Sequence, residues 1–200
     1  MSGIISQNVA RTSGLVKPVA AAGGTWTLIK TLTSDGSDSD LSFVDGSDDV
    51  TLDSTYPIYV FKFINIHCET DNKNFQFNMS DDTGSSYAVT KTTTAFAVGQ
   101  SEDDSGSFLS YEVSKDLAQG TGFQPLHIEL GIDNDQSVSG ELWLFNPSST
   151  VFVKHFIATG QGSSYHDKSY IVHTAGYGNT TSAVDAIQFS MDSGEIQGGK

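Results

Sequence analysis

From Thr25 onward, apolar residues recur at every second position, and short clusters of Asp, Gly and Ser interrupt the pattern. Side chains alternate sides with period two only in a strand; a helix gathers residues three and four apart on one face. The alternation therefore restricts this chain to sheet structure. Trp26, Leu28 and Leu32 fall on one strand face, Leu41 and Phe43 repeat the spacing, and so do Val50 and Leu52. Ser34-Asp35-Gly36-Ser37-Asp38 and Asp45-Gly46-Ser47-Asp48 lie between them and read as turns. Tyr56 to Ile66 is apolar on both faces, with Tyr59, Phe61 and Phe63 opposite Ile58, Val60, Ile64 and Ile66. That is the pattern of a central strand covered from both sides. Phe75, Phe77 and Met79 alternate with Asn74, Gln76 and Asn78, as in a half-exposed strand.

Further strands are expected over 88–98, 107–113, 122–131, 138–145, 151–158, 169–174 and 186–191. Asn146-Pro147-Ser148-Ser149 marks a hairpin between two of them. Only residues 114–120 suggest a helical turn. Many short strands with polar turns and no helices imply an all-β fold, an antiparallel β-sandwich of jelly-roll type. Trp26 and Trp143 lie on strands and read as core. The sandwich spans residues 25–200, with no internal repeat and no second domain.

Residues 1–24 behave differently. They show neither period, and Gly3, Gly14, Pro18, Gly23 and Gly24 punctuate them. Ile4, Ile5, Val9, Leu15 and Val16 are too apolar for a purely solvated tail. Arg11 and Lys17 make the stretch basic, and the first acidic residue is Asp35. The expectation is an N-terminal docking arm and a joint, with Ile4, Ile5, Val9, Arg11, Leu15, Val16 and Lys17 as the contacts to a partner. Ser6, Gln7 and Asn8 cut short any apolar run, so no secretory signal is expected and maturation is assigned to the cytoplasm.

Charge narrows the partners. Ten Lys and Arg against 24 Asp and Glu leave a net charge of −14 and a pI near 4.4. Such a surface repels phosphate backbones and anionic lipid, which argues against nucleic-acid or membrane partners. The loops 35–40 and 45–49 are oxygen-rich like calcium loops but lack the spacing of an EF-hand. A weak surface calcium site is the sharp reading, solvated loops the plain one; no cofactor is expected. The one cysteine, Cys68, ends an apolar strand and reads as a buried, inert thiol. His67, His127, His155, His166 and His173 show no zinc spacing, although His155 and His173 could face each other across a sheet.

No nucleophile elbow, phosphate loop or dinucleotide fingerprint occurs. With 24 acids, some carboxylate pair lies at glycosidase distance by chance, so pairs carry no information. Tyr111, Tyr165, Tyr170 and Tyr177 sit near polar turns, where rings can stack on sugar faces; core or rim packing is the plainer reading.

Taken together, Ser2-Gly3-Ile4-Ile5-Ser6-Gln7-Asn8-Val9 and Thr12-Ser13-Gly14-Leu15-Val16-Lys17 resemble the N-terminus of virion structural proteins of marine tailed phages, those of cyanobacteria and pelagic bacteria. Trp26-Thr27-Leu28-Ile29, Asp53-Ser54-Thr55-Tyr56, Phe61-Lys62-Phe63-Ile64-Asn65-Ile66-His67 and Thr70-Asp71-Asn72 extend the likeness. So do Leu142-Trp143-Leu144-Phe145, Pro147-Ser148-Ser149, Ala186-Ile187-Gln188-Phe189-Ser190-Met191 and Ser193-Gly194-Glu195-Ile196 before Gly198-Gly199. The resemblance implies a non-enzymatic virion component and one more short strand after the Gly198-Gly199 region. The residues suit a tail fibre or appendage subunit, docked to other virion proteins through its arm, with host-surface glycan as a further expected contact. A capsid decoration protein is the near alternative, a carbohydrate-binding module the distant one, and a hydrolase comes last. Sheet edges and exposed aromatics that need covering lead to an expected homo-oligomer, a trimer.

Overall fold

The structure is a computed structural model and describes residues 26–200. The arm residues Ile4, Ile5, Val9, Arg11, Leu15, Val16 and Lys17 lie outside the described residues. Alternation becomes strand in eleven places: β1 Asp40–Val44, β2 Ile58–Cys68, β3 Lys73–Ser80, β4 Lys91–Ser101, β5 Ser107–Tyr111, β6 Gln124–Leu130, β7 Val138–Phe145, β8 Lys154–Ser164, β9 Lys168–Gly178, β10 Ala186–Met191 and β11 Ile196–Gly198. All pairings are antiparallel, and no helix forms among the described residues.

The eleven strands belong to one hydrogen-bonded network folded into two layers. One layer runs β1-β10-β3-β6; the other runs β11-β2-β7-β8-β9-β4-β5. Among the described residues they meet edge to edge at two short contacts, Leu130 with Ser164, beside which Tyr165 N donates to Glu129 O at 2.9 Å, and Asp38 with Ile196, so the network bends at two corners without closing into a barrel. The chain crosses repeatedly between layers, as in a jelly roll, while β7, β8 and β9 form an up-and-down meander within one of them.

Period two explains the core. In β3 the odd positions Phe75, Phe77 and Met79 face inward, and in β7 Leu142 and Leu144 do so; all five are almost fully buried. Rings meet between layers: Phe77 on Phe156 with centroids 5.0 Å apart, Phe63 on Phe75 at 5.2 Å, and Phe61 on Phe189 at 5.6 Å. The first two meet edge-on and the third is tilted, and such ring contacts add to the burial energy. A smaller cluster of Ala97, Ile128, Tyr170 and Val172, with Phe108 against it, seals the β4–β9 end.

Two devices adjust the pattern. In β2 the register slips between Phe63 and Ile66, where Asn65 takes a φ of 52°. Asparagine tolerates that left-handed conformation better than most residues. The bulge reverses parity, so Ile66 and Cys68 turn inward with Tyr59 and Phe63. Ile66 therefore does not share a face with Ile58, Val60 and Ile64, as strict alternation had it. In β8 the inward positions beyond Ala158 are Gly160 and Gly162. A Cβ on Gly160 would stand 2.7 Å from the Leu126 carbonyl oxygen, and one on Gly162 would stand 2.8 Å from His127 Nε2. Here the layers approach too closely for any side chain.

Several expectations are corrected. Residues 26–32 form no strand, and Trp26 is 66% exposed, so it is no core residue. It packs edge-on against Trp143 at 5.3 Å, on the outside of the sandwich. Val50 and Leu52 are buried but lie in a loop, tied down where Leu52 N donates to Asp45 Oδ1 at 2.8 Å. Residues 114–120 make only a tight turn closed by Lys115 N donating to Glu112 O at 2.9 Å. The expected strands 138–145 and 186–191 match β7 and β10.

Replacing Phe77 by Ala removes a ring that bridges both layers, and the layers cannot collapse onto the gap without breaking β3 pairing. The expected loss is about 3–5 kcal/mol of unfolding free energy, read from urea denaturation followed by far-UV circular dichroism.

Candidate functional site

The outward positions of the seven-strand layer line up in rows fixed by strand register. One row runs Lys62, Glu141, Thr159, His173, Phe96, Tyr111. The next runs Val60, Trp143, Ile157, Ala175, Thr94, and a third runs Ser139, Gln161, Ile171, Val98, Leu109. Ile157 is 52% exposed, Phe96 41% and Leu109 73%. Phe96 stacks on the His173 ring at 4.9 Å, and Tyr111 OH donates to Asp116 Oδ2 at the rim. These rows contain a single carboxylate, Glu141, which is paired with Lys62 at 3.1 Å and accepts from Trp143 Nε1 at 2.8 Å. Those contacts hold the Glu141 carboxyl below its ordinary pKa.

A second feature lies at the edge of β2. Its odd positions bond toward β7, as where Pro57 O accepts from Asn146 N, and its even positions bond the other way. Ile64 exchanges both backbone bonds with Lys200, at 2.6 and 3.1 Å. Among the described residues, the outward-turned backbone groups of Ile58, Val60 and Lys62 have no such partner. Beside this open edge is a cavity of about 520 Å³, bounded by the passing segment 26–32 and by apolar side chains that include Phe43, Phe61, Phe63 and Phe189.

The four tyrosines read as sugar contacts do not converge. Tyr170 is buried, with Phe108 edge-on at 5.1 Å and its hydroxyl donating to Glu129 Oε2 at 3.2 Å, so it offers no face to a sugar. Tyr165 stands in the β8–β9 turn against His166, while Tyr177 stands near the far end of β9 against His155. Roughly 30 Å of strand separates those two ends. Tyr111 is half-exposed on β5. His155 and His173 do not face each other: His155 is opposite Tyr177, and His173 is opposite Thr159 and Phe96.

The acidic loops use their own carboxylates. Asp35 accepts from Ser37 N and Oγ at 3.0 and 2.7 Å, which lowers its pKa, and Asp38 accepts from Asp35 N at 3.0 Å. Among the described residues no three His, Cys, Asp or Glu side chains are grouped to hold a metal ion.

Buried polar groups lie away from the outer face. Lys91 is fully buried; its Nζ donates to Asn78 Oδ1 and, at 2.8 Å, to Val89 O. Burial brings its pKa down to about 7. Lys154, across Gly178 from Lys91, donates to Phe152 O at 2.9 Å and Thr180 O at 3.2 Å. His127 is buried with both ring nitrogens unpartnered among the described residues, and burial pushes its pKa down to about 4. Burial likewise pushes the Cys68 thiol up to about 11, where it stays protonated and inert.

No protein-family model, curated protein or solved structure matches the chain. The outer face is thus read from its geometry. Sequence reading missed it, although the signal was present: in 95–98, Ala95 and Ala97 alternate with Phe96 and Val98, apolar on both faces.

Lys91 generates a pH test. An amine titrating near 7 in the fold and at 10.5 in the unfolded chain penalises folding most below pH 7, and the penalty fades as pH rises toward 10.5. As pH approaches 9 the unfolded chain's Cys68, and above it the tyrosines, ionise and act oppositely, but they do so alike in the native and Lys91→Met proteins, so their difference isolates Lys91 over a window of pH 7 to 9. Across it the native protein should gain about 2 kcal/mol relative to Lys91→Met, measured as a difference in urea midpoints. Asn78 Oδ1 keeps an alternative donor in Met79 N at 2.9 Å, so the variant leaves no orphan there.

Proposed function

We propose that this chain is a non-enzymatic structural subunit of a bacteriophage particle, a tail appendage component joined to other virion proteins through residues 1–24. The observation that carries this reading is the partition of charge and apolarity along the chain. All 24 acidic residues lie at or after Asp35, whereas the leading stretch carries Arg11 and Lys17 among Ile4, Ile5, Val9, Leu15 and Val16. A basic, apolar peptide leading into an acidic sandwich suits a subunit that is held by its arm and keeps its body in water. Main-chain pairing and side-chain burial can seat such an arm in a groove of a partner, and its cations favour an acidic one. The motif likeness along nearly the whole chain supports the particle as the setting. The Trp26 contact with Trp143 supports a fixed point of departure for the arm, at the side of β7.

Deleting residues 2–24 tests the reading. The truncated chain is expected to keep its strand signature in circular dichroism and to be missing from purified particles. Particles that still incorporate it would refute the arm. Antibody labelling of intact virions should fall on the tail; label spread over the capsid shell would replace the appendage with a decoration protein.

A further inference from the structure

We propose that the outer face of the seven-strand layer is the surface on which a second copy of this chain packs. The inference goes beyond the particle assignment and stands or falls without it, because it rests on the distribution of charge over the fold.

Of 24 acidic residues, only Glu141 lies in the outward rows of β7, β8, β9, β4 and β5, and Lys62 neutralises it. The other acids lie in loops, in the four-strand layer or at the rim, as Asp116 does. A body with a net charge of −14 repels its own image through every acidic surface. This face is where two copies can approach without setting carboxylate against carboxylate. It also sets exposed apolar side chains side by side: Ile157, Phe96, Val98, Leu109 and Tyr111 stand in adjacent rows. Loss of charge combined with aromatic and aliphatic enrichment is the composition of an interface centre.

Size fits as well. β8, β9 and β4 have 11 residues each. At about 3.3 Å per residue and about 4.8 Å per strand, the five strands β7, β8, β9, β4 and β5 present on the order of 700–800 Å². A standard-size stable interface needs roughly 800 Å² from each partner. Sheet faces pack with strands nearly aligned, and a single patch meeting its own image closes at two copies. The geometry therefore points to a dimer, where sequence reasoning leads to three copies.

The test is the mass of the full chain in solution by light scattering coupled to size exclusion, with and without a carboxylate on the face. The native protein should run at twice 21.3 kDa. Ile157→Glu and, separately, Leu109→Glu should weaken self-association by on the order of 100-fold, since each buries an unpaired charge. Ser85→Glu, in the exposed turn that follows β3 in the four-strand layer, should leave the dimer intact. Circular dichroism identifies any variant that fails to fold, and Leu109, the more exposed site, keeps the question answerable if Ile157→Glu does so. Added salt should tighten the native dimer, because screening relieves repulsion between acidic bodies without weakening apolar contact. A native protein that stays monomeric up to ~100 µM, where only contacts too weak for a stable dimer remain, would overturn the proposal. So would a dimer that survives both face variants or loosens in salt.

Discussion

Burial of aromatic rings between the two layers is the interaction on which the rest depends. Among the described residues the strands of the two layers bond to each other only at the corners, around Leu130–Ser164 and Asp38–Ile196, so hydrogen bonding does not hold them face to face. Phe77 against Phe156, Phe63 against Phe75 and Phe189 against Phe61 do so instead. Once the rings fix the layer spacing, the narrow end follows: Gly160 and Gly162 admit Leu126 and His127 where a larger residue would force the layers apart.

That arrangement determines what is left for the outside. Every inward side chain in β4, β8 and β9 implies an outward one beside it, and the three strands are long and fully paired. A wide, regular face is the by-product. Its composition is not: outward β4 carries Phe96 and Val98 where Thr or Ser would serve solvent equally well. The loops hold the acids and keep the molecule soluble, while the flat side stays almost uncharged.

Much of the fold was legible because period two is a local signal. β7 and β10 could be bounded from apolar spacing alone, and the hairpin at Asn146-Pro147 from its turn residues. Illegible stretches share a physical cause. The end of β8 is Gly160-Gln161-Gly162-Ser163-Ser164, which reads as loop because close packing there requires small residues. Lys91 and Lys154 open β4 and β8 facing inward, although lysine ordinarily marks a surface, and only the cradle of Asn78, Val89, Phe152 and Thr180 makes that burial tolerable. Trp26 looked like core and is not, since a ring's burial depends on what its neighbours leave open. The outer face required register between strands distant in sequence, which no single segment carries.

The Lys200–Ile64 pairing has a practical side. β11 runs antiparallel to β2, the residues after it continue in the same direction, and the next rungs along that edge belong to Lys62, Val60 and Ile58, above the apolar cavity. An extended segment that carried on past Lys200 in the same direction would meet these rungs before it met open water. A purification tag placed there would be drawn into the sheet, and its sequence would register in the melting temperature as though it were native. A probe meant to stay passive has to be attached somewhere else.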